Sequence, residues 1–208
     1  MRIDPAGWPF ILGSVAVAVI GAFAVHTALG VAFLVLAALF LFFFRDPERP
    51  ITQADKGVIS PADGRVMVSG APIGQDFPAG DWQQISVFLS PMDVHVNRIP
   101  IGGRITKVRY HPGRFLPAFK PEAGDLNEYT EVWIDHGGQT IVVRQIVGIL
   151  ARRIVCRTQE GAEVKAGDRY GVMKFGSRMD VFIPTTASLR VKVNDRVVGG
   201  VTVMAVLS

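Results

Sequence analysis

The hydrophobic and polar residues divide the chain into an apolar N-terminal segment and a longer region of short alternating runs. Residues 8–44 contain no Asp, Glu, Lys or Arg, and the polar pair His26-Thr27 interrupts the apolar run near its middle. Each half of the run has 17 or 18 residues. As a helix each half would reach about 26 Å, slightly less than the ~30 Å hydrocarbon core of a bilayer.

Two interpretations of this segment follow, a helical hairpin in the membrane or one long tilted helix. A single helix over the whole run would be about 55 Å long, which is far too long for a bilayer and favours the hairpin. Arg2 precedes the run, and Arg45 and Arg49 follow it. Cations at both ends favour a cytoplasmic location for both ends. We therefore expect a membrane hairpin over residues 1–50, which crosses or only embeds in the cell membrane, and a cytoplasmic domain over residues 51–208.

After residue 57 the hydrophobic residues alternate with polar ones in short runs, which predicts strands. Turn-forming pairs such as Asp63-Gly64 separate these runs. A pattern of strand, acidic turn and glycine occurs at 164–171 and again at 193–199, and it resembles barrel-sandwich domains of the lipoyl and biotinyl type. The expected fold is therefore mainly β, a barrel-sandwich domain. Its predicted strands are residues 66–68, 84–89, 104–110, 130–134, 140–147, 154–157 and 188–193.

Composition narrows the range of partners. The net charge of +4 suits the anionic surface of a membrane. Lys and Arg are scattered, with no run longer than Arg152-Arg153, so nucleic acid is not expected as a partner. The single cysteine, Cys156, excludes an internal disulfide and fits a reducing compartment. No His and Cys residues have the spacing of a zinc site, so no metal is expected.

Three segments carry the residues with chemical potential. They are 60–66 (Ser-Pro-Ala-Asp-Gly-Arg-Val), 89–100 (Leu-Ser-Pro-Met-Asp-Val-His-Val-Asn-Arg-Ile-Pro) and 174–180 (Lys-Phe-Gly-Ser-Arg-Met-Asp). Each segment alone is explained by a turn or a hydrogen-bonded polar cluster. The serine also lacks the Gly-x-Ser-x-Gly turn of the hydrolases.

Together, and in this order, the three segments closely resemble the phosphatidylserine decarboxylase family in its short prokaryotic form. The resemblance extends from about Arg45 to the C-terminus. It includes residues 110–115, the pair Asn127-Glu128 and residues 145–148.

The resemblance implies that the chain cuts itself between Gly176 and Ser177 and converts Ser177 into a covalent pyruvoyl group, its cofactor. The Ser177 hydroxyl would attack the Gly176 carbonyl, which is accessible because glycine has no Cβ. Elimination and hydrolysis would then leave a ketone at position 177. The large subunit (1–176) and the small subunit (177–208) would remain associated. The ketone would form a Schiff base with phosphatidylserine and accept the electron pair released with carbon dioxide, which yields phosphatidylethanolamine.

Asp63 and His95 match family positions tied to self-cleavage and decarboxylation. A hydroxyl is a poor nucleophile at neutral pH, so a base must activate it. The long form of the family carries two histidines three residues apart, whereas this chain has His95 and then Arg98, which cannot act as a base. Three alternatives stay open: His95 serves both steps, Asp63 acts with a water, or His111 helps. Arg98 and His111 are the candidates for substrate binding, Arg98 because it can hold a carboxylate or phosphate.

Two rival functions remain. One is a membrane-tethered barrel-sandwich adaptor without enzyme activity, although the long helical hairpin usual in such adaptors is not visible in the sequence. The other is a pyruvoyl decarboxylase of a soluble amino acid, against which the membrane segment argues. The pattern does not indicate whether the protein forms a homo-oligomer.

Overall fold

The computed structural model of this chain describes residues 1–74, 76, 78–149, 153–174 and 177–208. The chain divides into two compact units, Met1–Glu48 and Arg49–Ser208.

The first unit is built from two apolar helices. A 3-10 turn at Pro5–Gly7 leads into α1 (Trp8–Ala24), and α2 spans Thr27–Phe43. The short strands β1 (Arg2–Ile3) and β2 (Arg45–Asp46) pair with each other at the open end of the helix pair.

The chain reverses between the two helices, as the hairpin interpretation predicted, and a single long helix is wrong. His26 has extended backbone, and its Nδ1 accepts a hydrogen bond from the Ala28 N–H at 3.1 Å, which caps the N-terminus of α2. The helices pack closely at Gly30, where a Cβ would lie 2.6 Å from the Ala22 Cβ. A residue without a side chain is therefore needed for this approach.

Most of the side chains of this helix pair face outward. The stretch Pro5–Ala24 is long and apolar enough to cross a membrane, with a mean hydropathy of 1.9. A core helix of a soluble protein or a signal sequence can be equally long and apolar. The helix therefore supports membrane association only through its length and composition.

The second unit is mainly β, as predicted, with one short helix, α3 (Ala123–Leu126). Its strands are β3 (Gly57–Ile59), β4 (Gly64–Gly70), β5 (Trp82–Leu89), β6 (Val96–Arg98), β7 (Gly103–His111), β8 (Tyr129–His136), β9 (Gln139–Val147), β10 (Ile154–Cys156), β11 (Glu163–Val164), β12 (Arg169–Met173), β13 (Ser177–Pro184), β14 (Ser188–Leu189), β15 (Arg196–Val197) and β16 (Val203–Val206).

The strands form three antiparallel sheets. The main sheet has the order β11-β7-β8-β9-β13-β5-β4-β15, the second sheet β10-β12-β6 and the third sheet β14-β16-β3. Within the described residues these sheets do not close into a barrel, so the barrel-sandwich assignment is not confirmed.

Six of the predicted strands coincide with observed ones to within a few residues. The prediction at 188–193 is too long, because β14 ends at Leu189. The chain then enters a turn in which the Asp195 carboxylate accepts a hydrogen bond from the Lys192 N–H at 2.9 Å.

The core lies against one face of the main sheet. β13 lies between β5 and β9, so every second residue of these strands joins the core. The members contributed by these three strands are Ile85, Val87, Leu89, Ile141, Val143, Met179, Val181 and Ile183. The opposite face of the sheet buries charged side chains instead.

Candidate active site

Ser177 is the first residue of β13 and is paired on both sides. Its partners are Leu89 in β5 and Val147 in β9. Ser177 is fully buried, and its Oγ has no hydrogen-bond partner among the described residues. An unsatisfied buried polar group costs about 1–3 kcal/mol, and the rare cases in native proteins call for an explanation such as catalysis. The other side of the predicted cleavage site, Gly176, lies outside the described residues.

His95 is the second predicted residue, and it is also fully buried. Its Nδ1 lies 2.9 Å from the backbone oxygen of Asp93. A carbonyl oxygen can only accept, so the proton of the neutral ring is on Nδ1 and the basic lone pair is on Nε2. The imidazole therefore has the tautomer that a general base needs.

Asp93 holds the turn that carries His95. Its Oδ2 accepts a hydrogen bond from the Ser90 N–H at 2.8 Å, and its Oδ1 lies 3.4 Å from Nη2 of Arg196. Asp93 thus orders the short connection between β5 and β6. The sequence pattern had suggested only a polar cluster for this aspartate.

Two short stretches of chain bring His95 toward Ser177. Leu89, where β5 ends, pairs with Ser177, and six residues later the backbone oxygen of His95 accepts a hydrogen bond from the Met173 N–H at 3.4 Å. Met173 is itself only four residues before Ser177. The two stretches are thus joined at both ends.

The side on which His95 lies follows from its neighbour in β6. Alternate residues of an extended chain share a face, so His95 and Asn97 point the same way. The Asn97 Oδ1 accepts a hydrogen bond from Nε2 of Gln145 at 2.8 Å. Gln145 lies on the same face of β9 as Val147, the partner of Ser177. His95 therefore faces the part of the main sheet that contains Ser177.

Asn97 and Gln145 are functional candidates that the sequence analysis missed. Both are fully buried, and Asn97 Nδ2 and Gln145 Oε1 have no partner among the described residues. Gln145 Nε2 also lies 3.5 Å from the Val155 carbonyl oxygen, so two acceptors fix the orientation of its amide. A Cβ at Gly171 would lie 2.5 Å from the same nitrogen, so the glycine makes room for the amide. Gln145 could have been noticed in the sequence, because it is a polar residue within the largely apolar run 141–147.

Asp63 is held by an ion pair. Its carboxylate accepts hydrogen bonds from both terminal nitrogens of Arg49, with Nη2 2.6 Å from Oδ2, and from the Gly199 N–H at 2.8 Å. The following residue, Gly64, has φ +155°, and a Cβ there would lie 2.1 Å from the Phe88 oxygen. Only glycine permits this close approach of β4 to β5.

The sheet register separates Asp63 from Ser177. Arg65 pairs with Phe88, and Phe88 pairs with Arg178, so Asp63 lies at the Ser177 end of the sheet but two strands away. Two strand spacings are roughly 10 Å. Among the three alternatives for the base, this arrangement favours His95 over direct action by Asp63.

Arg98 and His111 are not brought beside Ser177. Arg98 lies on the face of β6 opposite Asn97, and its Nη1 donates to the Gly167 oxygen at 3.0 Å. His111 stacks on the Tyr129 ring with 4.3 Å between ring centroids, and its strand is three positions from β13, roughly 14 Å. Their roles in substrate binding stay predictions.

The opposite face of β13 carries a buried ion pair. Arg178 Nε lies 2.6 Å from Oδ1 of Asp180, and Arg178 Nη2 lies 2.8 Å from Oδ2. Asp180 Oδ2 also accepts a hydrogen bond from Gln84 Nε2 at 2.9 Å, and Ser86 Oγ accepts one from the same amide. This network fixes the register of β13 from behind Ser177.

The second sheet contributes two titratable groups that stay neutral. Burial raises the pKa of the Tyr170 hydroxyl well above its usual value. Burial also raises the pKa of the half-buried Cys156 thiol, against a smaller opposing effect of a hydrogen bond to Thr158. Neither side chain is therefore poised to act as a base. In the described part of the chain no group of three His, Cys, Asp or Glu residues could hold a metal.

Comparison with known proteins decides the family. The family model described as phosphatidylserine decarboxylase matches residues 36–205. The chain belongs to the phosphatidylserine decarboxylase family. The sequence resemblance is thus confirmed, and the match includes Asp63, His95 and Ser177.

Individual relatives of the family cover most of the chain. The phosphatidylserine decarboxylase proenzyme of Symbiobacterium thermophilum is 43% identical over 95% of this chain and 92% of its own. The proenzyme of Granulibacter bethesdensis is 42% identical over 98% of this chain and 85% of its own. The proenzyme of Pelodictyon phaeoclathratiforme is 40% identical over 82% of this chain and 80% of its own.

Proposed function

We propose that this chain is a proenzyme that decarboxylates phosphatidylserine to phosphatidylethanolamine after cutting itself between Gly176 and Ser177. Membership of the phosphatidylserine decarboxylase family supports the reaction, and the relatives are named as proenzymes. The observation that carries the proposal for the site is the buried hydroxyl of Ser177 at the start of the central strand, which has no partner among the described residues. The inferred direction of His95 toward the same face of the sheet supports it.

The self-cleavage is an acyl transfer followed by an elimination. The Ser177 Oγ bonds to the Gly176 carbonyl carbon as the bond from that carbon to the Ser177 nitrogen breaks. His95 Nε2 takes the hydroxyl proton and returns it to the departing amine. Loss of the Ser177 Cα proton then expels the Gly176 carboxylate. Water replaces the nitrogen, which leaves as ammonia.

The residues around position 177 fit a pyruvoyl group. The site is buried, and its polar atoms without partners in the described structure include donors of Asn97 and an acceptor of Gln145. A pyruvoyl group supplies an electron sink for the pair released when carbon dioxide leaves. In the proposed mechanism His95 moves the proton, and the surrounding apolar strands exclude water.

The position of β13 supports an association of the two subunits. Residues 177–208 would supply the strand between β5 and β9 as well as β14, β15 and β16. We further propose a cell-membrane location with the second unit on the cytoplasmic side. The charge-free run of residues 8–44 and the flanking cations Arg2, Arg45 and Arg49 support this location.

Intact mass spectrometry of the purified protein tests the cut. We expect two pieces, and the smaller should be the 177–208 peptide lighter by the mass of one ammonia. A single uncut chain would favour the adaptor and contradict the proposal.

A second assay tests the substrate. The protein is given phosphatidylserine or free serine, each labelled in the carboxyl group, and released carbon dioxide is counted. We expect release from the phospholipid alone. Release from free serine alone would support the soluble amino acid decarboxylase instead.

A further inference from the structure

Large apolar side chains are exposed on the connections at the Ser177 end of the main sheet. Single exposed apolar residues are common, but several that lie together mark an interaction site. We call this group the apolar rim; its members are between 39% and 67% exposed, and they are Met92, Phe115, Phe119, Leu126 and Ile149.

Two members of the apolar rim follow the strands that flank β13. Met92 lies three residues after Leu89, the partner of Ser177 in β5. Ile149 lies two residues after Val147, the partner of Ser177 in β9. Both side chains are therefore close along the chain to the residues that border the site.

The other three members belong to the connection between β7 and β8, which is tied to the same end. Asn127 Nδ2 donates to the Val147 oxygen at 2.8 Å and to the Leu116 oxygen at 2.8 Å. The Phe119 ring lies 6.1 Å from the ring of Phe88, which pairs with Arg178. The apolar rim thus lies on connections at the Ser177 end of the main sheet.

Two exposed cations lie directly beside the aromatic members of the rim. Arg114 precedes Phe115 and Lys120 follows Phe119, and both cations are exposed, while Glu122 is an exposed acid on the same connection. Aromatic rings beside Lys or Arg are typical of a membrane interface, whereas Lys is depleted in protein interfaces. The unit as a whole is also basic, with 20 of the 22 cationic and 15 of the 18 acidic residues of the chain.

We propose that the apolar rim docks onto a bilayer that contains anionic phospholipid, so that a headgroup reaches Ser177 while its acyl chains stay in the membrane. The inference rests on the proposed function, since it names the surface through which the phospholipid substrate is presented. The aromatic and aliphatic side chains enter the interface, and Arg114 and Lys120 contact lipid phosphates.

The first test separates access to lipid from chemistry. The full chain is reconstituted in vesicles, and the double variant Met92→Asp/Phe119→Asp is compared with wild type. The control is Thr106→Asp, because Thr106 is also exposed but lies in β7 five residues, roughly 17 Å, before His111, after which the connection that carries Phe115 and Phe119 begins.

We expect the double variant to lose 10- to 100-fold in kcat/KM on phosphatidylserine in the vesicle, yet to stay within twofold on a monomeric short-chain phosphatidylserine. The control should stay within twofold on both substrates. Equal losses on both substrates, or no loss on either, would overturn the docking role. An assembly of several copies in wild type that the double variant breaks would also overturn it, because a second copy would then be the occupant.

The second test does not depend on activity. An indole is introduced by Phe119→Trp and, as a control, by Thr106→Trp, and the vesicles contain brominated phospholipid. We expect quenching of the added fluorescence in the first variant and not in the second. Equal quenching or no quenching would contradict docking even in a chain that decarboxylates normally. Quenching in a chain without decarboxylase activity would support the docking surface and would show that only the proposed function had failed.

Discussion

The two faces of β13 bury polar groups in opposite ways. On one face Arg178 and Asp180 form two hydrogen bonds with each other, and Asp180 accepts a third from Gln84. On the other face the hydroxyl of Ser177 has no partner among the described residues. Satisfied polar networks specify structure, whereas buried groups without partners are tolerated where chemistry requires them. We therefore assign the Arg178 face to the positioning of β13 and the Ser177 face to the reaction.

The buried ion pair makes the register of β13 specific. Removing both charges from water is costly, so such a pair adds little net stability, but a slipped register would leave a charge buried without its partner. Because the side-chain period of a strand is two, a slip of one residue would also turn Ser177 to the wrong face. The ion pair therefore fixes where the reactive hydroxyl points.

Removal of the hydroxyl should have the largest effect. We expect Ser177→Ala to stay a single chain with no decarboxylase activity, because no other group can become the ketone. The matched control is Ser86→Ala, which removes a buried hydroxyl from the neighbouring strand on the opposite face. It should still be cut, as electrophoresis under denaturing conditions would show. Cleavage of Ser177→Ala would contradict the proposed bond.

Loss of the base should have the next largest effect. We expect His95→Ala to slow self-cleavage or decarboxylation by about 10²- to 10⁴-fold, measured by the rate of band conversion and by release of carbon dioxide. His136 is the control, since its Nδ1 also lies 2.7 Å from a backbone oxygen, that of Gly102. It stands at the far end of β8, roughly 24 Å along the strand from Tyr129. Normal rates for both steps in His95→Ala would show that the role proposed for His95 is wrong.

Breaking the ion pair should act on stability. We expect Arg178→Met to lower the free energy of unfolding by about 3–5 kcal/mol, because it leaves the Asp180 carboxylate buried without its partner. The double variant Arg178→Met/Asp180→Leu should recover most of the loss. Chemical denaturation of uncut protein, in the Ser177→Ala background, measures both. If the single and the double variant lost the same free energy of unfolding, the shape of the side chains rather than their charge would matter on this face.

The opposite face should respond differently, with little change in stability. We expect Asn97→Leu/Gln145→Met to change the free energy of unfolding by no more than about 1 kcal/mol in either direction, because the two amides already have unsatisfied atoms. Self-cleavage should nevertheless slow. Denaturation and cleavage rates on the same preparations check this, and a destabilised variant that is cut normally would reverse our assignment of the two faces.

The smallest effect concerns a thiol beside the reactive face. Burial raises the pKa of Cys156, and a raised pKa leaves less thiolate at pH 8 than in a free cysteine. The folded protein should therefore react more slowly with iodoacetamide than the denatured protein at the same pH. Equal rates would show that water reaches the second sheet freely.

Local pattern predicted five strands of the main sheet, β4, β5, β7, β8 and β9, because their apolar residues alternate over many positions. β6 and β12 were missed because β6 has three residues, two of them polar, and its pairing with β12 joins residues about seventy positions apart. The hairpin break was predictable because the apolar run is too long for one helix across a bilayer, and the polar pair His26-Thr27 marks its middle. Closure of the sheets depends on twist, which no pattern of residue types reports.

The site was predictable where a motif carried it and not where folding assembled it. Ser177 and His95 were found through the family resemblance. The contact of Asn97 with Gln145 joins positions 48 residues apart and leaves no local signal. The odd spacing of His95 and Arg98 could have shown that their side chains face opposite ways in a strand, so that Arg98 points away from the side on which Asn97 and Gln145 meet.

The position of β13 also has a consequence for how the protein is made. A cut before Ser177 would leave a peptide whose strands belong to two sheets, and its first strand, β13, has neighbours on both sides that come from the other piece. An intact precursor folds in a first-order process, whereas the separated pieces would have to meet before either could complete its hydrogen bonds. Maturation would thus turn a molecule that can refold alone into one whose recovery after denaturation depends on concentration.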